Sequence, residues 1–358
     1  MNKKNTQKSI DRVVFSHSIN RTLLFWFLLL ALAPMSLVSW ISYNQAAEGL
    51  QKAAAQNLEH MAVADSQFIQ NWFNYRFTDI NSKAEDPHTA ELLQKLQAGW
   101  LAQNQPLAEY IKSYHWAKIV EQYQQDLVTM MRYYNYIYDL FLIDTQGNII
   151  YSVAHESDLG TNLFSGPYAA TNFAKTAQNS LVTGQTLFSD LERYQPSNNM
   201  LTGFITTPVL NAAGEKIGLL ALQLQYEQIF ASLLTKELQT KTLQRYVVGH
   251  DSILRTGLDQ GIKDVLTRSI NTEQFKLWQY EHDKPKHMAN GMQESTFEYI
   301  GPNDQKVIGI HHAIRLAGVN WVLISEVDTK EALAAANNLK LLMLAMVTLT
   351  GLLAAGFA

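Results

Sequence analysis

Residues 138–153 read YDLFLIDTQGNIIYSV. The apolar run at 140–143, the turn TQGN at 145–148 and the return IIYSV at 149–153 predict a β-hairpin. Residues 167–180 carry a helical pattern with Pro167 at an early helical position. Next come GFITTPVL at 203–210, the turn NAAG at 211–214 and KIGLLALQLQ at 216–225. The order is hairpin, helix, hairpin. Roughly 105 residues further on it recurs, with 246–249, a turn at 250–252, 253–256, helical stretches within 261–281, then 296–300, 306–315 and 320–327. Two such units predict two antiparallel sheets with helices covering one face of each. The other face, or the gap beneath a connecting helix, then offers a small-ligand cavity.

Outward from these units the chain turns apolar at both extremes. Residues 22–41, TLLFWFLLLALAPMSLVSWI, contain no charge and are long enough for a bilayer core of ~30 Å. Trp26, Trp40 and Tyr43 lie near the ends of the run, where amphipathic rings favour the interface. The preceding segment carries Lys3, Lys4, Lys8, Arg12 and Arg21 against Asp11, which places residues 1–21 in the cytoplasm and residue 44 onward outside. A cleaved signal peptide ending near Ala31–Leu32–Ala33 is the competing reading. A second run, LKLLMLAMVTLTGLLAAGFA at 339–358, is uncharged after Lys340. It is expected to be a span in or after which the sequence has been cut, with a C-terminal helix on a soluble core as the alternative.

Between the spans stand 22 basic and 31 acidic residues, an acidic balance that offers no basic face to nucleic acid. The sequence has no cysteine, which excludes disulfides and thiolate metal sites. Residues 46–84 read as one long helix with an apolar stripe at Leu58, Met61, Phe68, Trp72 and Tyr75, ended by Asp86 and Pro87. Helical patches at 88–102 and 106–133 follow, and a linker helix is expected at 227–238. The fold class is therefore α+β: two PAS-like antiparallel-sheet modules on a long N-terminal helix, flanked by two transmembrane helices. The divisions are 1–21 cytoplasmic, 22–43 first span, 44–133 helical, 134–240 membrane-distal module, 241–328 membrane-proximal module, and 329–358 signalling helix and second span.

The phrases LFLIDTQGNIIYSV (140–153), ESDLGTNLFSGPY (156–168), LFSDLERYQPSNN (187–199), FITTPVLNAAGEKIGLLALQLQYEQIF (204–230) and YVVGHDSILRTG (246–257) resemble the double Cache (tandem PAS-like) sensor regions of bacterial transmembrane receptors. The resemblance implies a small-molecule ligand in the distal module. By position, that ligand would be met by Tyr168 on the helix, Asp190 and Tyr194 on a loop, Phe204 and Thr206 on the next strand, and Gln223 on the last. Relatives that bind α-amino acids carry an Arg-x-Trp-Tyr motif on the helix and an aspartate on the last strand. Here GPYA stands at 166–169 and Gln223 replaces the aspartate, so an ordinary α-amino acid is disfavoured and a neutral or weakly polar molecule is expected.

The resemblance also implies a homodimer in the inner membrane, with the region between the spans periplasmic. The output would be that of a sensor histidine kinase, or alternatively of a chemotaxis receptor or diguanylate cyclase. An exterior-facing enzyme and a structural anchor are the other classes. Residues 1–358 show no HExxH, Walker, GxSxG or dinucleotide motif, so no catalytic residue and no cofactor is expected. No metal is expected either. His311 and His312 are neighbours on a strand and point to opposite faces, while His282 and His287 flank Asp283 in an expected loop, whose polarity accounts for them.

Overall fold

The computed structural model describes residues 10–234, 241–258, 261–283 and 298–356. Helix α1 runs unbroken over Ile10–Ala84, with Pro34 inside it. At 1.5 Å per residue it is roughly 110 Å long. Asp86 accepts a hydrogen bond from His88 N, and Pro87 opens α2 (Pro87–Gln103), a first-turn position where its missing N–H costs nothing. Three short helices follow: α3 (Leu107–Tyr110), α4 (Tyr114–Tyr123) and α5 (Gln125–Tyr133). The buried stripe of α1 is Ala55, Leu58, Ala62, Ile69, Phe73, Ile80 and Ala84. The expected stripe is right at Leu58 and wrong at Phe68 and Tyr75, which are exposed. Alanines carry much of the true stripe, and an aromatic-weighted reading passes over them.

The chain divides into two compact units. One holds residues 59–295 and 310–326, the other residues 1–58, 296–309 and 327–358. In the first lies a five-stranded sheet of β1 (Ile137–Asp144), β2 (Ile149–Ser152), β3 (Leu187–Tyr194), β4 (Met200–Leu210) and β5 (Lys216–Gln225). Its order is β2-β1-β5-β4-β3, antiparallel throughout. Both faces are covered, not one. Consecutive residues Leu140–Ile143 and Leu219–Leu224 are all buried, as a strand requires when each face meets other chain. One face receives Phe73 of α1, whose ring lies 4.6 Å from that of Phe188. The other receives α6 (Asn172–Thr183) through Phe173, Ala174 and Ala177.

Helix α6 starts five residues later than expected. Thr171 caps it, accepting from Ala174 N, so Pro167 and Tyr168 lie in the turns that precede it. The expected loop at 187–194 is strand β3, with its ladder broken between Phe188 and Leu191. After β5 come two single turns, α7 (Tyr226–Ile229) and α8 (Ala231–Leu234), and the remainder of the expected linker helix falls outside the described residues.

The second sheet has the order β6-β9-β8-β7, from β6 (Gln244–Gly249), β7 (Glu298–Ile300), β8 (Lys306–Leu316) and β9 (Val319–Asp328). The expected return strand at 253–256 makes only isolated bridges, because Ser252 turns the chain with φ 64°. Helix α9 (Glu273–Asp283) sets Phe275 and Trp278 among Tyr246, Val248, Val322 and Ile324.

In the other unit lie α10 (Thr329–Ala332) and α11 (Ala334–Gly356). Within α1 and within α11 lie stretches long and apolar enough to cross a membrane by length and composition.

Candidate functional site

The face of the five-stranded sheet beneath α6 collects most of the residues the sequence singles out. Cross-strand register places Asp139 opposite Gln223, and Gln223 opposite Phe204, so the three share this face. Phe204 stacks on Phe173 of α6 with centroids 4.0 Å apart and rings 7° from parallel. Tyr194 meets Phe204 edge-on at 4.8 Å, and Tyr168 lies 6.0 Å from Tyr194. Thr206, two residues beyond Phe204 on the same face, is buried, and its hydroxyl has no partner. Tyr168, Tyr194, Phe204, Thr206 and Gln223 are thus brought to one wall.

Asp190 is not. It occupies the left-handed region, φ 65°, at the break in β3, where the Ser189 hydroxyl takes over a ladder position by accepting from Phe204 N at 2.9 Å. That change of phase sends the Asp190 carboxylate to Arg255. Both oxygens accept guanidinium N–H bonds at 2.8 Å, and Trp321 Nε1 donates to it at 3.1 Å. Burial alone would lower the Arg255 pKa, but the Asp190 and Asp251 carboxylates outweigh it and raise it. Asp190 is a junction residue between β3 and the second sheet, not part of the wall under α6.

The sequence reading misses the acids of this wall. Asp139 is fully buried, and its Oδ1 accepts from the backbone N–H of Leu140, Val153 and Ala154 at 2.7, 2.9 and 2.8 Å. Asp158, also fully buried, accepts from the Tyr194 hydroxyl at 2.7 Å. Glu156 accepts from Tyr138 at 2.8 Å and from the Ser197 hydroxyl, which in turn accepts from Gln223 Nε2 at 3.0 Å. Asp139 Oδ2 and Asp158 Oδ1 have no partner. Burial pushes the Asp139 carboxyl up to about 7; its backbone donors oppose this and the Asp158 charge adds to it. Burial also raises Asp158, with the Tyr194 hydrogen bond opposing and the Glu156 charge adding. The bond to Glu156, followed by burial, pushes Tyr138 up to about 12. The available signal was a charged residue inside an apolar strand, Asp139 in YDLFLID, because such a residue is buried only with compensation.

The histidines are engaged structurally. His311 faces Gln274 at 2.7 Å and Glu281 at 3.2 Å on α9, and His282 stacks on Trp278; His287 lies outside the described residues. Asp86, His88 and Asp126 form a trio with metal-compatible spacing, but Lys83 Nζ stands 2.6 Å from Asp86 and 3.9 Å from Asp126 and already supplies a positive charge there.

No family model matches this sequence, and no curated protein matches it. Solved structures are similar. The ligand-binding domain of the Pseudomonas fluorescens chemoreceptor CtaA, in complex with L-leucine, is 15% identical, with 80% of this chain and 99% of that one covered and a TM-score of 0.50. The ligand-binding domain of the Pseudomonas aeruginosa PAO1 chemoreceptor PctC, in complex with GABA, is 13% identical over 77% of this chain and all of that one, TM-score 0.49. The sensor domain of the V. cholerae histidine kinase DctB is 15% identical over 76% and 97%, TM-score 0.47. The likeness to CtaA establishes the fold. The region between the two apolar stretches has that α+β fold, with antiparallel sheets on a long N-terminal helix.

Proposed function

We propose that this chain is the extracytoplasmic sensing region of a two-pass inner-membrane receptor that binds a small molecule in its distal module, residues 134–240, and passes the signal through the proximal module, 241–328, to α11. The observation that carries this reading is the CtaA-like fold, which spans 80% of the chain and lies between two membrane-length apolar helical stretches. Tyr168, Tyr194, Phe204, Thr206 and Gln223 form the ligand wall. A ligand shifts the receptor only through different affinities for two arrangements of this wall. The receptor works as a homodimer, and its output is of the histidine kinase type. The resemblance to a chemoreceptor domain favours a second reading, input to a chemotaxis receptor.

Topology is the first test. Because the sequence lacks cysteine, single substitutions Asn5→Cys and Glu121→Cys can be labelled in intact spheroplasts with an impermeant maleimide. Glu121→Cys is expected to react and Asn5→Cys to react only after lysis. Labelling of both before lysis, or of neither, refutes the two-sided arrangement.

A further inference from the structure

The wall beneath α6 holds three carboxyls and, among their hydrogen-bond partners, no cation. Asp139 is bonded by backbone N–H groups, Asp158 by Tyr194 and Glu156 by Tyr138 and Ser197. Two of these acids, Asp139 and Asp158, are completely buried, and each has one oxygen without a partner. The two are close enough for the charge on one to disfavour ionisation of the other. A buried carboxylate is retained at such a cost where a positive partner completes it.

We propose that Asp139 and Asp158 are the recognition point for a small organic cation, a protonated amine that carries no carboxylate of its own, bound beside the rings of Tyr168 and Tyr194. This rests on the sensing function proposed above and names the chemical class of the ligand. Three features select it. The ammonium N–H groups supply the donors that Asp139 Oδ2 and Asp158 Oδ1 lack, and charge-assisted bonds of this kind are the strong ones. The aromatic rings beside the acids add attraction for a cation. A bare metal ion fits less well, because among the described residues the trio whose ligand atoms converge within 4.8 Å is Asp86, His88 and Asp126, not these acids. A ligand carboxylate would meet three acidic side chains with no basic group among their hydrogen-bond partners. The neutral ligand expected from GPYA at 166–169 and Gln223 gives way to a cation once Asp139, the cross-strand neighbour of Gln223, is counted.

Binding is coupled to protons. The titratable groups that act on the pair are Tyr138 on β1, Tyr151 on β2, Glu156 on the following segment and Tyr194 on β3. With its carboxyl pushed up to about 7 by burial, Asp139 holds a proton in part of the free molecules near neutral pH. The incoming ammonium keeps its own proton, and the carboxyl proton leaves to solvent.

The test uses the full chain in detergent micelles at pH 7, with ethanolamine, putrescine and tetramethylammonium as probes and acetate, L-alanine, sodium and calcium ions as controls. At least one amine is expected to raise the melting temperature and to release protons, read by calorimetry in two buffers of different ionisation enthalpy. Asp139→Asn and Asp158→Asn, each checked for native circular dichroism, are expected to weaken that amine about tenfold or more. The inference is overturned if none of the three amines stabilises the chain, or if amine binding survives in the double variant. If only neutral or anionic compounds stabilise it, the cation is refuted while the sensing function stands.

Discussion

Asp139 has a side chain the protein buries completely while satisfying only one of its two oxygens. Its folded pKa, about 7 against 3.8, is raised chiefly by burial. The folded state therefore binds more protons than the unfolded chain across this window. The stability contribution is fully present below about 3.8 and is lost as pH rises toward 7. Asp139→Asn keeps the acceptor for Leu140, Val153 and Ala154 and removes the titration. Relative to wild type, the variant is expected to gain about 2 kcal/mol or more between pH 4.5 and 7.5, measured by urea unfolding at both pH values. A difference that does not change with pH would show that Asp139 is not the titrating group.

Asp190 and Arg255 present the opposite case, a pair satisfied on both sides, with Arg255 5% and Asp190 20% exposed. Arg255→Met leaves the Asp190 carboxylate with only the Leu191 N–H and Trp321 Nε1 as donors and no positive partner in contact, and is expected to cost about 3 kcal/mol. Adding Asp190→Asn should cost little more, so the double-mutant cycle reports the coupling. Strictly additive costs would mean that the ion pair contributes nothing.

Helix α6 shows how an element is placed over the site. Its first N–H groups are taken by two side chains: Thr171 Oγ1 accepts from Ala174, and Glu192, reaching across from β3, accepts from Phe173 and Asn172 at 2.8 and 3.0 Å. At the far end, Gly184 closes the helix with φ 74°. A carboxylate at a helix N-terminus also meets the positive end of the dipole. Thr171→Ala is expected to cost about 1 kcal/mol. Glu192→Ala should cost more, because it leaves two donors and frees α6 from β3; urea midpoints of the two variants rank them.

This capping explains what the sequence conceals. Strands β1, β4 and β5 are legible as apolar runs with turns between them, and α1 is legible as a long helix. The start of α6 is not, because Pro167 mimics a helix start while Thr171 is chosen by Glu192, 21 residues away. Asp190 misleads for a related reason. Its residue type suits a ligand wall, but a left-handed backbone at one position turns it to Arg255, and nothing local in FSDLERY specifies that. The wall aromatics Tyr194 and Phe204 are found by their position in the resemblance, and strand phase adds that Phe204 and Thr206 share a face. Asp139 and Asp158 are missed because only the packed structure reveals an oxygen without a partner.

At the scale of the whole molecule, the apolar stretches of α1 and α11 belong to one compact unit. The Tyr43 hydroxyl lies 3.4 Å from Asn337 Oδ1, Lys340 Nζ sits 5.2 Å from the centre of the Tyr43 ring, and a Cβ on Gly351 would touch Leu32 at 3.8 Å. A tyrosine and a lysine with apolar bodies and polar tips at the edge of a hydrophobic span are suited to the interface between lipid and water. Leu29, Leu30, Leu342 and Leu349 are exposed, an arrangement of large apolar side chains that a lipid environment would favour. On the receptor function proposed above, a signal passed to α11 would have the Tyr43 turn of α1 to move against. In native membranes, the pair Tyr43→Cys and Asn337→Cys is expected to cross-link within one chain with a short bis-maleimide. Tyr43→Cys with Leu353→Cys should not, since Leu353 lies about 24 Å further along α11. Equal cross-linking of the two pairs would mean that the helices slide freely past one another, and a receptor built on their fixed registration would be untenable.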